Sequence, residues 1–161
     1  MVKNLIRKSL LEQGQLLSKN FVHKANIDIQ NAAIKHLDIK SSKNILSYFP
    51  YKNEVTLEII SQEFKKYKNN IFMPRIVSAN KLKFNLFKEN ATLEKNKYGI
   101  NEVKNEDYLD SVSFDLMFIP FVGVDKGGYR LGYGGGYFDR SLGDISFKEK
   151  KPIIVGLGYD F

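Results

Sequence analysis

The sequence predicts an α/β fold built on a largely parallel sheet, with short apolar strands alternating with helices. Three observations carry that expectation. Apolar runs of strand length, among them NILSYF, NIFM and VSFDLMFI, alternate with stretches whose apolar residues recur at helical spacing. Each of those three runs ends directly in a proline: Pro50, Pro74 and Pro120. The glycine is gathered after the last of them. Gly127 to Arg140, GGYRLGYGGGYFDR, holds six of the 12 glycines with four aromatics and two arginines.

Taken in order, Val2, Leu5, Ile6, Leu10, Leu16 and Leu17 fall near a 3.6-residue period. They predict a first helix of about 16 residues with a break at Gly14. A second helix is expected over 21–37. NILSYF then reads as a buried strand. Asn53 is placed to cap a third helix whose inner side is Val55, Ile59, Ile60, Phe64 and Tyr67. NIFM is expected to end as a strand at Pro74, and LKFNLF alternates as a third strand. Residues 91–110 are polar and weakly patterned, and read mostly as loop. VSFDLMFI is the most strand-like run, a helix should start near Tyr137, and PIIVGLGYDF supplies a last strand. Ligands in such sheets bind beyond the carboxyl ends of the strands. That places residues 51–54, Arg75 and the glycine stretch on one edge.

Composition narrows the class. At 161 residues the chain suits one domain with a real core. The absence of cysteine excludes disulfides, thiolate catalysis and zinc–sulfur sites. No apolar run approaches the roughly 18 residues of a membrane span. The lysines and glutamate that interrupt the first apolar residues argue against a signal peptide. His23 and His36 are read as plain surface or core-edge residues. A cytoplasmic enzyme or binding domain is expected. The net charge of +7 favours anionic partners. Of the 25 basic residues only four are arginine, Arg7, Arg75, Arg130 and Arg140. Arginine's planar fork grips phosphate or carboxylate bidentately, so these four are the cations to follow.

The glycine stretch matches neither standard phosphate fingerprint. Gly132-Tyr133 is not a Walker ending, and Tyr137 stands where a dinucleotide motif needs glycine. Its layout of strand, glycine-rich loop and helix start nevertheless suits backbone amides aimed at an anion. Arg130 adds a bidentate cation, and Asp139 a hard carboxylate of the kind that holds Mg2+ beside phosphates. A tight turn whose aromatics pack the core is the competing reading.

VDKGGYRLGYGGGYFDR also resembles the signature of the 5-formyltetrahydrofolate cyclo-ligases. Lys3-Asn4-Leu5-Ile6-Arg7, Asn53-Glu54-Val55, Met73-Pro74-Arg75, Tyr98-Gly99-Ile100-Asn101-Glu102 and Ile153 to Tyr159 resemble further segments of that family, in the same order. Phe138 stands where the family usually has a second tyrosine, and Val103 replaces its usual proline. The family pattern also continues past the position of Phe161, so the expectation is one cyclo-ligase domain over 1–161 lacking a C-terminal segment.

The resemblance implies a three-layer α/β/α, Rossmann-like fold of the NagB/RpiA/CoA-transferase kind. It implies closure of 5-formyltetrahydrofolate, polyglutamylated or not, to 5,10-methenyltetrahydrofolate with ATP and Mg2+. Lys3, Arg7, Arg130, Gly132, Tyr133, Gly134, Gly135, Gly136 and Asp139 are then the ATP-site residues, with Asp139 on the metal. Tyr51, Glu54, Arg75, Tyr137 and Phe138 are the folate-site residues, and Arg130, Glu54 and Tyr137 the catalytic ones. A monomer without nucleic-acid or membrane partners is expected. A relative that binds but turns over poorly is the first alternative. A basic, aromatic-rich nucleic-acid binder is the second, weakened because its lysines are spread along the whole chain.

Overall fold

The computed structural model describes residues 2–147 and 149–160. Two helices open the chain, α1 (Val2–Leu16) and α2 (Lys19–His36). Ser18 separates them by accepting the Phe21 amide at 3.2 Å, a side-chain N-cap. Lys35 and His36 sit in the last turn of α2, where cations suit the carbonyl end. Strand β1 (Asn44–Leu46) is followed by α3 (Glu58–Tyr67), β2 (Asn70–Ser78) and β3 (Lys81–Leu86). Three short strands come next: β4 (Leu93–Lys95), β5 (Asn101–Val103) and β6 (Tyr108–Leu109). Strand β7 (Leu116–Phe118) leads to a small hairpin, β8 (Gly123–Val124) and β9 (Arg130–Leu131). Helix α4 (Tyr137–Ser141), a 3-10 turn (Gly143–Phe147) and β10 (Ile153–Val155) complete the order.

The main sheet runs β10-β7-β1-β2-β3-β6. Its first four strands are parallel, while β3 and β6 join antiparallel. Side chains alternate across it as the pleat requires. Ile45, Leu116 and Phe118 point to one face and pack with Leu57, Ile60 and Phe64, and with Ala33 and Ile34 of α2. Leu46, Met117, Phe72 and Phe84 point to the other, under Phe114, Ile145 and the partly buried Tyr137, Phe138 and Leu142. Helices thus cover both faces, α2 and α3 on one side and α4 with its 3-10 extension on the other. Burying each large apolar side chain contributes roughly 1.5–3 kcal/mol. No helix among the described residues is long and apolar enough to cross a membrane.

Several elements differ from the sequence reading. Helix α1 runs unbroken through Gly14, since one glycine costs a helix only about 1 kcal/mol. Val112 and Ser113, at the head of VSFDLMFI, lie in a 3-10 turn (Ser111–Ser113), and the strand itself is Leu116–Phe118. Helix α3 starts at Glu58, and its N-cap residue Leu57 offers no side-chain acceptor. Asn53 is instead drawn away to the α1 terminus, where its Nδ2 donates to Gly14 O at 2.9 Å. Strand β2 does not stop at Pro74. Its pairing with β1 ends at Leu46↔Phe72, after which β3 alone supports it through Pro74↔Phe84 and Arg75↔Lys83. The polar segment 91–110 is not mostly loop, since β4 and β5 form a hairpin and β6 joins the main sheet. Strand β4 is exposed throughout, so no apolar alternation marks it.

Candidate active site

The carboxyl ends of β1, β7 and β10 lie side by side and send their following loops to one edge. After β10, Gly156 and Gly158 lie against the Phe121 ring, where an added Cβ would sit 2.7 and 2.4 Å from ring carbons. After β7 the chain passes Pro120, forms the β8–β9 hairpin, and enters the glycine loop 132–136. Gly134 and Gly136 hold φ of +104° and +64°, which an L side chain disfavours. The one aromatic between the glycines of this loop, Tyr133, makes a tertiary contact, so the loop is not a pure linker. Tyr133 meets Tyr51 of the β1 loop edge-on, with centroids 5.7 Å apart.

Helix α1 closes this edge. It has no fully buried residue, yet it is pinned at the loop: Arg7 Nε donates to Gly132 O at 2.7 Å. The Arg7 guanidinium carbon also lies 3.4 Å from where a Gly134 Cβ would stand. That is ordinary contact distance, so it is the positive φ of Gly134, and not the guanidinium, that calls for glycine there. Between α1 and the loop opens a cleft of about 420 Å³ lined by Asn4, Arg7, Lys8, Lys52 and Tyr133. Glu12 also lines it and pairs with Lys8 at 3.8 Å, so Arg7 and Lys52 are the cations left to suit a polyanion. Lys3 is exposed one turn before Arg7.

Beside that cleft, in a smaller pocket that shares Lys52 and Tyr133 with it, lies a partly buried carboxylate, Glu54. Glu54 Oε2 accepts the Tyr51 amide at 2.7 Å in a turn where Lys52 takes φ +52°. Burial pushes the Glu54 carboxyl above its usual range, and the Tyr51 amide and the Tyr133 phenol oppose that only in part. Burial beside Glu54 in turn pushes the Tyr133 phenol far up, so it stays a neutral hydroxyl. Tyr48 is buried below, its phenol donating to Val55 O at 2.7 Å, and is likewise pushed up by burial and by Glu54.

The loop's far end is held by arginines. Arg130 Nη1 donates to Pro120 O at 3.1 Å, and its Nη2 pairs with the Asp139 carboxylate. Phe138 packs into the second core, its ring centre 5.8 Å from the Arg130 guanidinium carbon. Arg140 donates to Gly135 O and, from Nε, to Asn80 O at 3.0 Å in the β2–β3 turn. Among the described residues no three His, Asp or Glu side chains gather as a metal cage.

The chain as a whole has known counterparts. A family model described as the 5-formyltetrahydrofolate cyclo-ligase family matches residues 1–161. The chain belongs to that family. A 5-formyltetrahydrofolate cyclo-ligase of Mycoplasma pneumoniae is 32% identical over 165 residues, covering 100% of this chain and 87% of its own length. One of Haemophilus influenzae is 30% identical over 141 residues, covering 85% and 74% respectively. In structure the chain is similar to the Aquifex aeolicus 5,10-methenyltetrahydrofolate synthetase, with a TM-score of 0.82 at 28% identity. That match covers 99% of this chain and 78% of the other.

Against the cyclo-ligase pattern, the residues expected from sequence divide into groups. Arg7, Gly132, Tyr133, Gly134, Tyr51 and Glu54 meet directly or through one neighbour. Arg130, Gly135, Gly136, Tyr137, Phe138, Asp139 and Arg140 form the adjoining end of the same loop. Arg75 stands apart on the β2 extension, where its Nη1 donates to Asn105 O at 3.0 Å and faces Glu106 at 3.5 Å. Sequence reasoning missed Tyr48, Lys97 and the role of Tyr98. The β4–β5 turn brings the Tyr98 hydroxyl within 3.4 Å of that of Tyr137, with Lys97 Nζ 6.0 Å from the Tyr137 ring centre. Tyr98 and Lys97 together draw the Tyr137 phenol below its usual range. Asn96 shapes this turn by accepting the Tyr98 and Ile100 amides, an Asx-type signal legible in principle.

Proposed function

We propose that this protein closes 5-formyltetrahydrofolate to 5,10-methenyltetrahydrofolate with conversion of ATP to ADP and phosphate. The observation that carries the reading is the junction of Arg7, the glycine loop and Glu54. It sets a cationic cleft, suited to a polyphosphate, beside a partly buried carboxylate suited to a heterocycle's N–H groups, with Lys52 and Tyr133 lining both pockets. Membership of the cyclo-ligase family supports it.

A formamide carbonyl is a poor electrophile with a poor leaving group. In this reading the formyl oxygen attacks the γ-phosphorus, the bond to the β-phosphate oxygen breaks, and ADP leaves. N10 then attacks the activated carbon and loses its proton. Cleavage of the carbon–oxygen bond releases phosphate and leaves the cationic ring. Phosphoryl transfer of this kind needs positioning and charge neutralisation more than covalent help. Lys3 and Arg7 hold phosphate oxygens from α1. Arg130 and the amides of residues 132–136 neutralise the transferring group. Glu54 accepts hydrogen bonds from the pterin, flanked by Tyr51, Tyr133 and Tyr137, with the Phe138 ring behind. Arg75 serves the anionic tail.

A single exposed carboxylate beside a phosphate loop is what Mg2+ takes when phosphates and water supply its other ligands. Asp139 fits that description and would hold the ion, which supplies charge neutralisation on the phosphates. We read the protein as a one-domain monomer acting in the cytoplasm without nucleic acid.

The test is the near-ultraviolet absorbance of the methenyl product after mixing the protein with 5-formyltetrahydrofolate and MgATP. An ATP-dependent rise, abolished in Arg130→Ala, is expected. No rise from folded protein overturns the reading and leaves a binder without turnover.

A further inference from the structure

Helix α3 begins without a cap of its own, and the loop before it carries Glu54. Both problems are solved by one side chain from a different helix. Gln30, buried in α2 at 2% exposure, turns its Oε1 to accept the amides of Ile59 at 2.9 Å and Ile60 at 3.3 Å. Two of the first-turn donors of α3 are thereby satisfied from outside. The other end of the same amide donates from Nε2 to Asn26 Oδ1 at 2.7 Å and Thr56 Oγ1 at 3.3 Å. Thr56 Oγ1 donates in turn to Asn26 Oδ1 at 3.1 Å.

Thr56 is two residues from Glu54, and the residue between them is also held, since Val55 O accepts the Tyr48 phenol. Glu54 itself accepts the Tyr51 amide, and Asn53 reaches the α1 terminus. Four successive residues, 53–56, are thus each fixed by a different partner, although none lies in a helix or strand. A carboxylate whose burial penalises its charge needs such restraint.

We propose that Gln30 is a positioning residue for the folate site: it locks Thr56 and the start of α3 so that Glu54 is presented in one orientation. The assignment rests on the reading of Glu54 as the folate-contacting carboxylate. The chemistry demands an amide at position 30. A carboxylate supplies the acceptor for the helix start but no proton for Asn26 or Thr56, and an aliphatic side chain supplies neither. Gln30 touches no reacting atom, so its effect should fall on one substrate and not on the other.

The experiment compares wild type with Gln30→Glu and Thr56→Val, following steady-state kinetics for both substrates alongside thermal unfolding. Gln30→Glu keeps the cap and loses the donors, while Thr56→Val removes only the hydroxyl in an almost unchanged shape. For both, KM for 5-formyltetrahydrofolate should rise about five- to tenfold, the size of one lost net hydrogen bond. KM for ATP should stay within about twofold, and the midpoint of unfolding of Thr56→Val within a few degrees. If both variants keep the wild-type folate KM, the inference is overturned. It is equally overturned if the two KM values rise together with a large loss of stability, since that is a merely structural role. An inactive but folded wild type would instead overturn the proposed function, which the wild-type arm detects separately.

Discussion

Arg7 and Gly132 stand 125 positions apart in the chain, and the Arg7 Nε donates to the Gly132 carbonyl at 2.7 Å. The contact does two jobs. It anchors a helix that has no fully buried residue, and it sets a guanidinium over the left-handed Gly134. Leu10 against Gly123 and Asn53 to Gly14 O share the work of holding α1.

Arg7→Ala should therefore lower kcat/KM for ATP by about 10- to 100-fold, equivalent to the roughly 1.5–3 kcal/mol of a hydrogen bond to a charged group. Arg7→Lys keeps the charge but not the fork, and should recover only part of the loss. Initial rates at varied ATP with saturating folate check both variants. An unchanged ATP dependence in Arg7→Ala would remove the cation from the nucleotide site.

The core strands were legible because burial on both faces leaves an unbroken apolar run, as in the Leu116–Phe118 strand. The glycine loop was legible because its residue types are unusual together. What escaped the sequence was carried by long-range polar partners. Asn53 has the chemistry of a helix cap, but Gly14 competes for it. Gln30, an unremarked residue on α2, caps the helix instead. Strand β2 continues past Pro74 because β3 pairs with it after β1 has ended. The hairpin β4–β5 depends on Glu102, which accepts the Ile76 amide at 3.0 Å and the Asn96 amide group at 2.8 Å. No local pattern reports such a carboxylate standing in for a sheet partner.

Gly136 tests the loop's geometry. It holds φ +64°, and an added Cβ would lie 2.7 Å from Nη1 of Arg140, which is tied to Gly135 and Asn80. Gly136→Ala meets both backbone strain, about 1–2 kcal/mol for a left-handed L residue, and a displaced guanidinium. Thermal unfolding should show a fall of a few degrees. The turnover of the folded fraction should fall further, because the loop amides move with the Arg140 contact. A variant as stable and active as wild type would show that the loop adapts freely.

Asp139 separates a structural pair from a metal ligand. Its side chain is 68% exposed while Arg130 is 18% exposed, so their ion pair is largely screened on the Asp139 side. Asp139→Asn should change stability by no more than about 0.5 kcal/mol, as surface substitutions do. The Mg2+ concentration for half-maximal rate at fixed ATP should nevertheless rise about tenfold, roughly 1.4 kcal/mol of binding. An unmoved Mg2+ midpoint would leave Asp139 as the partner of Arg130 alone.

Glu54 makes stability depend on pH in a direction opposite to that of most paired carboxylates. Its folded carboxyl titrates above its ordinary value of 4.5, chiefly because burial penalises the charge. A carboxyl raised in the folded state contributes stability below its unfolded value, and that contribution is lost as pH rises through the folded value. At neutral pH the ionised group is therefore a net burden on the fold. Glu54→Gln removes the charge and can still accept the Tyr51 amide. It should raise the unfolding midpoint near pH 7.5, with the advantage vanishing below about pH 4, where both forms are neutral. The same variant should lose most of its turnover, since a neutral amide cannot match a carboxylate in accepting hydrogen bonds. Unfolding of the two proteins across pH 4–8, beside their activities, reads both effects. A Glu54→Gln protein less stable than wild type at neutral pH would mean that the carboxylate's hydrogen bonds outweigh its burial.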